Sequence, residues 1–240
     1  MALDRRGFLH GALTTAIGAG AASAAASDDR SSTAEHEQDK HVGCLVDTTL
    51  CIGCRKCEAA CAAANGLPEP SPPVEESAST PRRRRRPGTD AFTVVNQYPG
   101  PPSPHQQARD TTAVKVQCMH CLDPACVSAC ITGAMAKAED GAVVYDPDIC
   151  IGCRYCLVAC PFQVPAFEFD RPMMPRVRKC SMCFGRAGAS GANPACAEAC
   201  PMEAIVFGTR HELLALARDR IAARPDRYLD RIYGESEAGG

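Results

Sequence analysis

Sixteen of the seventeen cysteines fall into four groups of four. The first is Cys51, Cys54, Cys57 and Cys61 in CIGCRKCEAAC, and the second is Cys118, Cys121, Cys126 and Cys130 in CMHCLDPACVSAC. The third is Cys150, Cys153, Cys156 and Cys160 in CIGCRYCLVACP, and the fourth is Cys180, Cys183, Cys196 and Cys200 in CSMCFGRAGASGANPACAEAC. Each group opens with C-x-x-C. The third cysteine follows after three, five, three or thirteen positions, and the fourth always stands four further on. Four thiolates saturate a metal centre and leave no open position for a substrate. The closing C-x-x-x-C has helical spacing, which predicts both thiols on one helix face. The first three cysteines sit on a loop able to wrap a compact object. Structural zinc draws two thiols from each of two separate knuckles. Three cysteines at three-residue steps point instead to a [4Fe–4S] cube. Cys44 stands outside the groups, in HVGCLVD, and is read as a small buried thiol on a strand.

The third group, closed by Pro161, resembles the cluster-binding run of bacterial ferredoxins. In two-cluster ferredoxins the fourth cysteine of each run ligates the other cluster, so every run needs a partner run. Groups two and three are joined by ITGAMAKAEDGAVVYDPDI, which reads as a hairpin turning at Glu139-Asp140-Gly141. Groups one and four then pair across the intervening chain, with Ala204 to Phe207 as a further short strand. The expected fold is α+β: two interleaved, loop-rich, ferredoxin-like dicluster modules organised around four [4Fe–4S] clusters.

The elements that must position these thiols come from an unusual composition. Trp is absent, aromatic residues make up 5%, and the chain holds 19 Gly and 19 Pro. Side-chain packing alone is a poor account of such a fold, and metals are the natural supplement. A net charge of −2 gives no global pointer to nucleic acid. The basic run Arg82 to Arg86 reads as a solvated loop. It lies in a Pro-, Ser- and Arg-rich stretch, 67–112, expected to be a surface insertion. Thr209 and Glu212 form a capping-box pattern that opens a helix running to about Ala223, its apolar face on Leu213, Leu214, Leu216, Ala217 and Ile221. His120 inside group two is read either as a donor to a cluster or as a solvent-facing side chain. Arg55, Lys56 and Arg154 in the cluster loops are expected to favour the reduced, more negative clusters.

The first 26 residues hold Arg5, Arg6, Phe8 and Leu9 ahead of a weak Ala- and Gly-rich apolar stretch. They resemble a twin-arginine signal peptide, although Asp4 and His10 depart from its pattern. That route exports folded proteins, so it implies cluster insertion before export and a periplasmic location peripheral to the membrane. No apolar run reaches eighteen residues, so no transmembrane helix of its own is expected.

The spacing of groups two and four resembles the four-cluster electron-transfer subunits of dimethyl sulfoxide reductase, formate dehydrogenase and hydrogenase complexes. The resemblance covers about residues 42 to 235. It is nearest to the hydrogenase branch, on GCRYCLVACPFQVP and especially VFGTRHELLALARDRIAARP and YGESEAGG. Carried over residue by residue, it implies cluster 1 on Cys51, Cys54, Cys57 and Cys200, and cluster 2 on Cys180, Cys183, Cys196 and Cys61. It implies cluster 3 on Cys118, Cys121, Cys126 and Cys160, and cluster 4 on Cys150, Cys153, Cys156 and Cys130. The outer module then comprises 42–66 and 174–210, the inner module 113–170, and a C-terminal helix and tail 211–240. No nucleophile–base pair or phosphate loop is evident, so the expected role is an electron conduit and not a catalyst. The expected partners are a periplasmic [NiFe] hydrogenase catalytic subunit and a membrane quinone-linked subunit. A molybdenum or tungsten pterin enzyme is the alternative partner, and a zinc-rich binding module the alternative class.

Overall fold

The computed structural model describes residues 41–74, 84–99, 111–186 and 192–239. The twin-arginine segment and Arg82 lie outside the described residues. Among the described residues the strands form four separate two-stranded sheets. Strand β1 (Val42–Val46) pairs antiparallel with β8 (Ile205–Thr209), Val42 opposite Thr209. Strands β2 (Val94–Pro99) and β3 (Thr111–Val116) form the second sheet. The third is the hairpin β4 (Met135–Lys137) and β5 (Val143–Tyr145), which turns where the sequence predicts. The fourth joins β6 (Ala166–Phe167) to β7 (Val177–Arg178).

Helices connect and follow these strands. Helix α1 (Lys56–Asn65) is Ala-rich and ends at Gly66, whose φ of 60° suits only a residue without Cβ strain and whose N–H bonds to the Ala62 carbonyl. Helices α2 (Ala125–Ser128), α3 (Tyr155–Ala159) and α4 (Ala195–Glu198) are single turns. Pro124 and Pro194 precede α2 and α4. Helix α5 (Arg210–Ala223) opens with both arms of the capping box, Thr209 and Glu212. Helix α1 packs on α4, α2 packs on α3, and α5 packs on β1 and β8. Asp47, just past β1, fastens the chain's end: it accepts from Arg220 at 3.0 Å and from the Tyr228 hydroxyl at 2.8 Å.

The core is thin and sulfur-rich. One buried cluster joins Cys57, Val95, Ala113, Cys196 and Ile205, and another joins Cys126, Met135, Val143, Cys156 and Val177. Cysteines occupy positions that hydrocarbon side chains fill in ordinary domains.

The stretch expected as a surface insertion is in part structural. Phe92, Val94, Val95 and Asn96 are buried. VVNQYP lacks apolar–polar alternation because both its faces are covered, so its polar flanks hid a strand. Nor is the arginine run simply solvated. Arg85 pairs with Glu58 at 2.5 Å, and Arg84 lies over the Tyr98 ring at 5.1 Å.

Candidate iron–sulfur centres

The cluster loops repeat one backbone device. In groups one and three, Gly53 and Gly152 have φ of 72° and 70°, and Arg55 and Arg154 have φ of 61° and 64°. In groups two and four the left-handed positions are His120, Met182 and Cys183. Such turns curl the loop and bring backbone N–H groups onto the first cysteine. Gly152 N–H lies 3.4 Å from Cys150 Sγ, and Met182 N–H lies 3.3 Å from Cys180 Sγ. Met135 N–H approaches Cys130 Sγ at 3.3 Å. These donors favour thiolate over thiol.

The third cysteine of every group, Cys57, Cys126, Cys156 and Cys196, is buried in the first turns of α1, α2, α3 and α4. The prediction that the last two thiols share a helix face holds for Cys57 and Cys61 on α1. It fails elsewhere. Helices α2, α3 and α4 end before Cys130, Cys160 and Cys200, because one turn suffices to carry the third thiol.

The folded chain gathers the groups crosswise. Cys51, Cys54 and Cys57 line one cavity together with Cys200. Cys180, Cys183 and Cys196 line a second together with Cys61. The packing of α1 on α4 places the two cavities side by side. In the other half, burial pushes Cys126 up to about 11, and the neighbouring thiols that add to the shift are Cys118, Cys160 and Cys121. Cys156 is likewise raised to about 11, by burial and then by Cys130, Cys150 and Cys153. Each outer set thus contains three thiols of one group and the fourth of its partner group, and the inner thiols influence one another in the same crossed pattern. Among the described residues, no three His, Cys, Asp or Glu side chains converge tightly enough to hold a single metal ion.

The donor chemistry suits a cluster. Burial raises Cys57 and Cys61 to about 12 and Cys180 to about 11, so the bare thiols stay protonated near neutral pH. A thiophilic cationic group displaces those protons and turns a buried liability into four bonds. Cys130 behaves differently: burial raises it, but hydrogen bonds from Met135 and Thr132 outweigh burial and lower its pKa.

Other residues are placed in ways the sequence did not disclose. His120 is buried, not solvent-facing, and its Nδ1 accepts from Val143 N–H at 2.9 Å. Burial, then the charges of Lys179, Lys137 and Lys115, hold it well below the ordinary histidine value, and therefore neutral. Arg55 is buried against Glu58, which offsets its charge. Arg154 lies over Phe167 and Phe169 at 5.6 and 5.8 Å. Cys44 lies on β1, half-buried, and lines the second cavity; burial raises it to about 12. Lys115 and Lys179 are buried near the thiols.

A family model described as a 4Fe-4S dicluster domain matches residues 110–210. A protein of Nitratidesulfovibrio vulgaris is 45% identical over 243 residues, covering 99% of this chain and 62% of that protein. The hydrogenase-2 operon protein HybA of Escherichia coli is 36% identical over 224 residues, covering 83% of this chain and 67% of that protein. A subunit of the anaerobic dimethyl sulfoxide reductase of Escherichia coli is 35% identical over 188 residues, covering 76% of this chain and 80% of that subunit. The chain thus spans less than two thirds of the first of these relatives and about two thirds of the second.

Proposed function

Because the chain belongs to the family of ferredoxin-type [4Fe–4S] electron-transfer subunits that includes those of dimethyl sulfoxide reductase and formate dehydrogenase, we propose that it is the electron conduit of a membrane-linked hydrogenase complex. Its cofactors are four [4Fe–4S] clusters, which when bound accept and release single electrons. The observation that carries the reading is the crossing of Cys200 and Cys61 into each other's cavities, which sets two four-thiol sites side by side. The inner thiols of groups two and three form the second such pair, so the ligand sets are those given above as clusters 1 to 4.

The chain's residues hold the clusters, shield them and set their surroundings, and no side chain is assigned a catalytic role. The catalytic partner in this reading is a periplasmic [NiFe] hydrogenase subunit, and the electron acceptor a quinone-linked membrane subunit. The match to HybA supports that partner. Residues 1–26 would direct folded export to the periplasm by the twin-arginine route. Among the described residues no helix is long and apolar enough to cross a membrane. The similarity to a dimethyl sulfoxide reductase subunit favours a second reading, in which the same conduit serves a molybdenum or tungsten pterin enzyme.

An anaerobic pull-down of the tagged protein from native membranes, with metals and subunits identified together, separates the two. Nickel with hydrogenase subunits supports the first reading. Molybdenum or tungsten with one large pterin subunit replaces it with the second. A colourless zinc protein without acid-labile sulfide overturns both.

A further inference from the structure

Two lysines stand at the joints between successive thiol sets. Lys115, on β3, is 7% exposed and lines the cavity of Cys51, Cys54, Cys57 and Cys200. Its ammonium donates to Gln117, and Gln117 lines the adjoining cavity of Cys61, Cys180, Cys183 and Cys196. Lys179 is 6% exposed and immediately precedes Cys180. Its Nζ donates to the carbonyls of Val143 and Cys180, the latter at 2.8 Å, and stands 3.9 Å from Cys118 Sγ. Lys115 therefore lies between the first and second thiol sets, and Lys179 between the second and third. Among the described residues no carboxylate forms an ion pair with either.

Two unpaired cations in so thin a core are costly unless something anionic stands beside them. A half-buried third lysine, Lys137, donates to the Cys121 carbonyl at 2.7 Å, nearer solvent.

We propose that Lys115 and Lys179 are built-in counter-charges that raise the reduction potentials of the clusters they separate, Lys115 for clusters 1 and 2 and Lys179 for clusters 2 and 3. The inference rests on the four thiol sets being cluster sites. Reduction adds one electron to a cluster that is already anionic. A fixed positive charge nearby favours that added charge, and a low-dielectric setting strengthens the effect. Cluster 4, held by Cys150, Cys153, Cys156 and Cys130, has neither lysine at its border. Cluster 2 thus borders both lysines, clusters 1 and 3 one each, and cluster 4 neither.

The test is an EPR-monitored redox titration of the purified, cluster-loaded protein, unmodified and with Lys115→Met or Lys179→Met. Lys115→Met should shift two reduction equilibria at least tenfold toward the oxidised form, 59 mV per tenfold for one electron. Lys179→Met should shift a different pair, with one cluster common to both. Unchanged potentials in variants that keep all four signals overturn the proposal. If a Met variant loses clusters, the Lys→Arg variant decides. Arginine retaining iron and native potentials supports a counter-charge, whereas loss of the same clusters shows a requirement for lysine's shape and overturns it. An unmodified protein without four such signals overturns the cluster-site reading, and the inference falls with it.

Discussion

Glu58 and Arg85 form an ion pair at 2.5 Å across 27 positions of sequence, and Glu58 is 3% exposed. The same carboxylate accepts from Arg55 at 2.9 Å and from Val95 N–H at 2.6 Å. One side chain thus ties the first cluster helix to a strand that the sequence concealed. Glu58→Gln leaves two guanidinium groups short of a partner and should cost roughly 3–5 kcal/mol of stability. Chemical denaturation of the cluster-loaded protein checks this. A change below about 0.5 kcal/mol, the range of ordinary surface substitutions, would show the knot to be ornamental.

Asp47 makes the protein acid-sensitive. Burial raises its pKa, but hydrogen bonds from Thr49 and Tyr228 and the charge of Arg220 outweigh this and hold it below 3.8. A depressed carboxylate contributes stability that is present above 3.8 and is lost as the pH falls through the lower folded value. Asp47→Asn should lower stability by about 2 kcal/mol at pH 7. It should also flatten the acid limb of a Tm-against-pH curve. An acid limb identical to that of the unmodified protein would place the sensitivity elsewhere.

Crosswise gathering predicts which centre each cysteine serves. Cys61→Ser should alter the spectrum of the centre built on Cys180, Cys183 and Cys196, and leave that of Cys51, Cys54 and Cys57 in place. Cys160→Ser should strike the centre of Cys118, Cys121 and Cys126. EPR of the two variants, compared with Cys57→Ser and Cys156→Ser, reads this out. Loss confined to each cysteine's own group would refute the crossing.

Removing the metal should unfold the chain. The clusters occupy places where other domains carry hydrocarbon, and thiols raised to between about 11 and 12 take up protons when iron leaves. Chelation at pH 7 should therefore consume protons and abolish the cooperative thermal transition. Circular dichroism with a weakly buffered pH trace measures both. A stripped protein that still melts cooperatively at the original temperature would show that the apolar core suffices.

Short-range patterns were readable. The turn at Asp140-Gly141, the Thr209–Glu212 box and the strand around Cys44 each rest on a few adjacent residues whose chemistry dictates local geometry. The four thiol runs were readable because their spacing is itself the geometry of a loop around a cube. Hidden features depended on distant covering surfaces. Val94 and Val95 do not alternate because both faces of β2 are covered. Arg55, Lys115 and Lys179 are solvent-seeking by type, and the chain folded over them is what makes them interior residues. Helices α2, α3 and α4 stop sooner than the C-x-x-x-C period implies, since spacing alone does not say where a helix ends.

The pairing of β1 with β8 nests one half of the molecule inside the other, like brackets within brackets. During synthesis the inner pair of runs is complete once Cys160 has emerged, whereas the outer pair waits for Cys200. The outer pair of runs is therefore the last to be complete along the chain, and only then can β1 find β8. A chain ending upstream of β8 would leave β1 with an unpaired sheet edge.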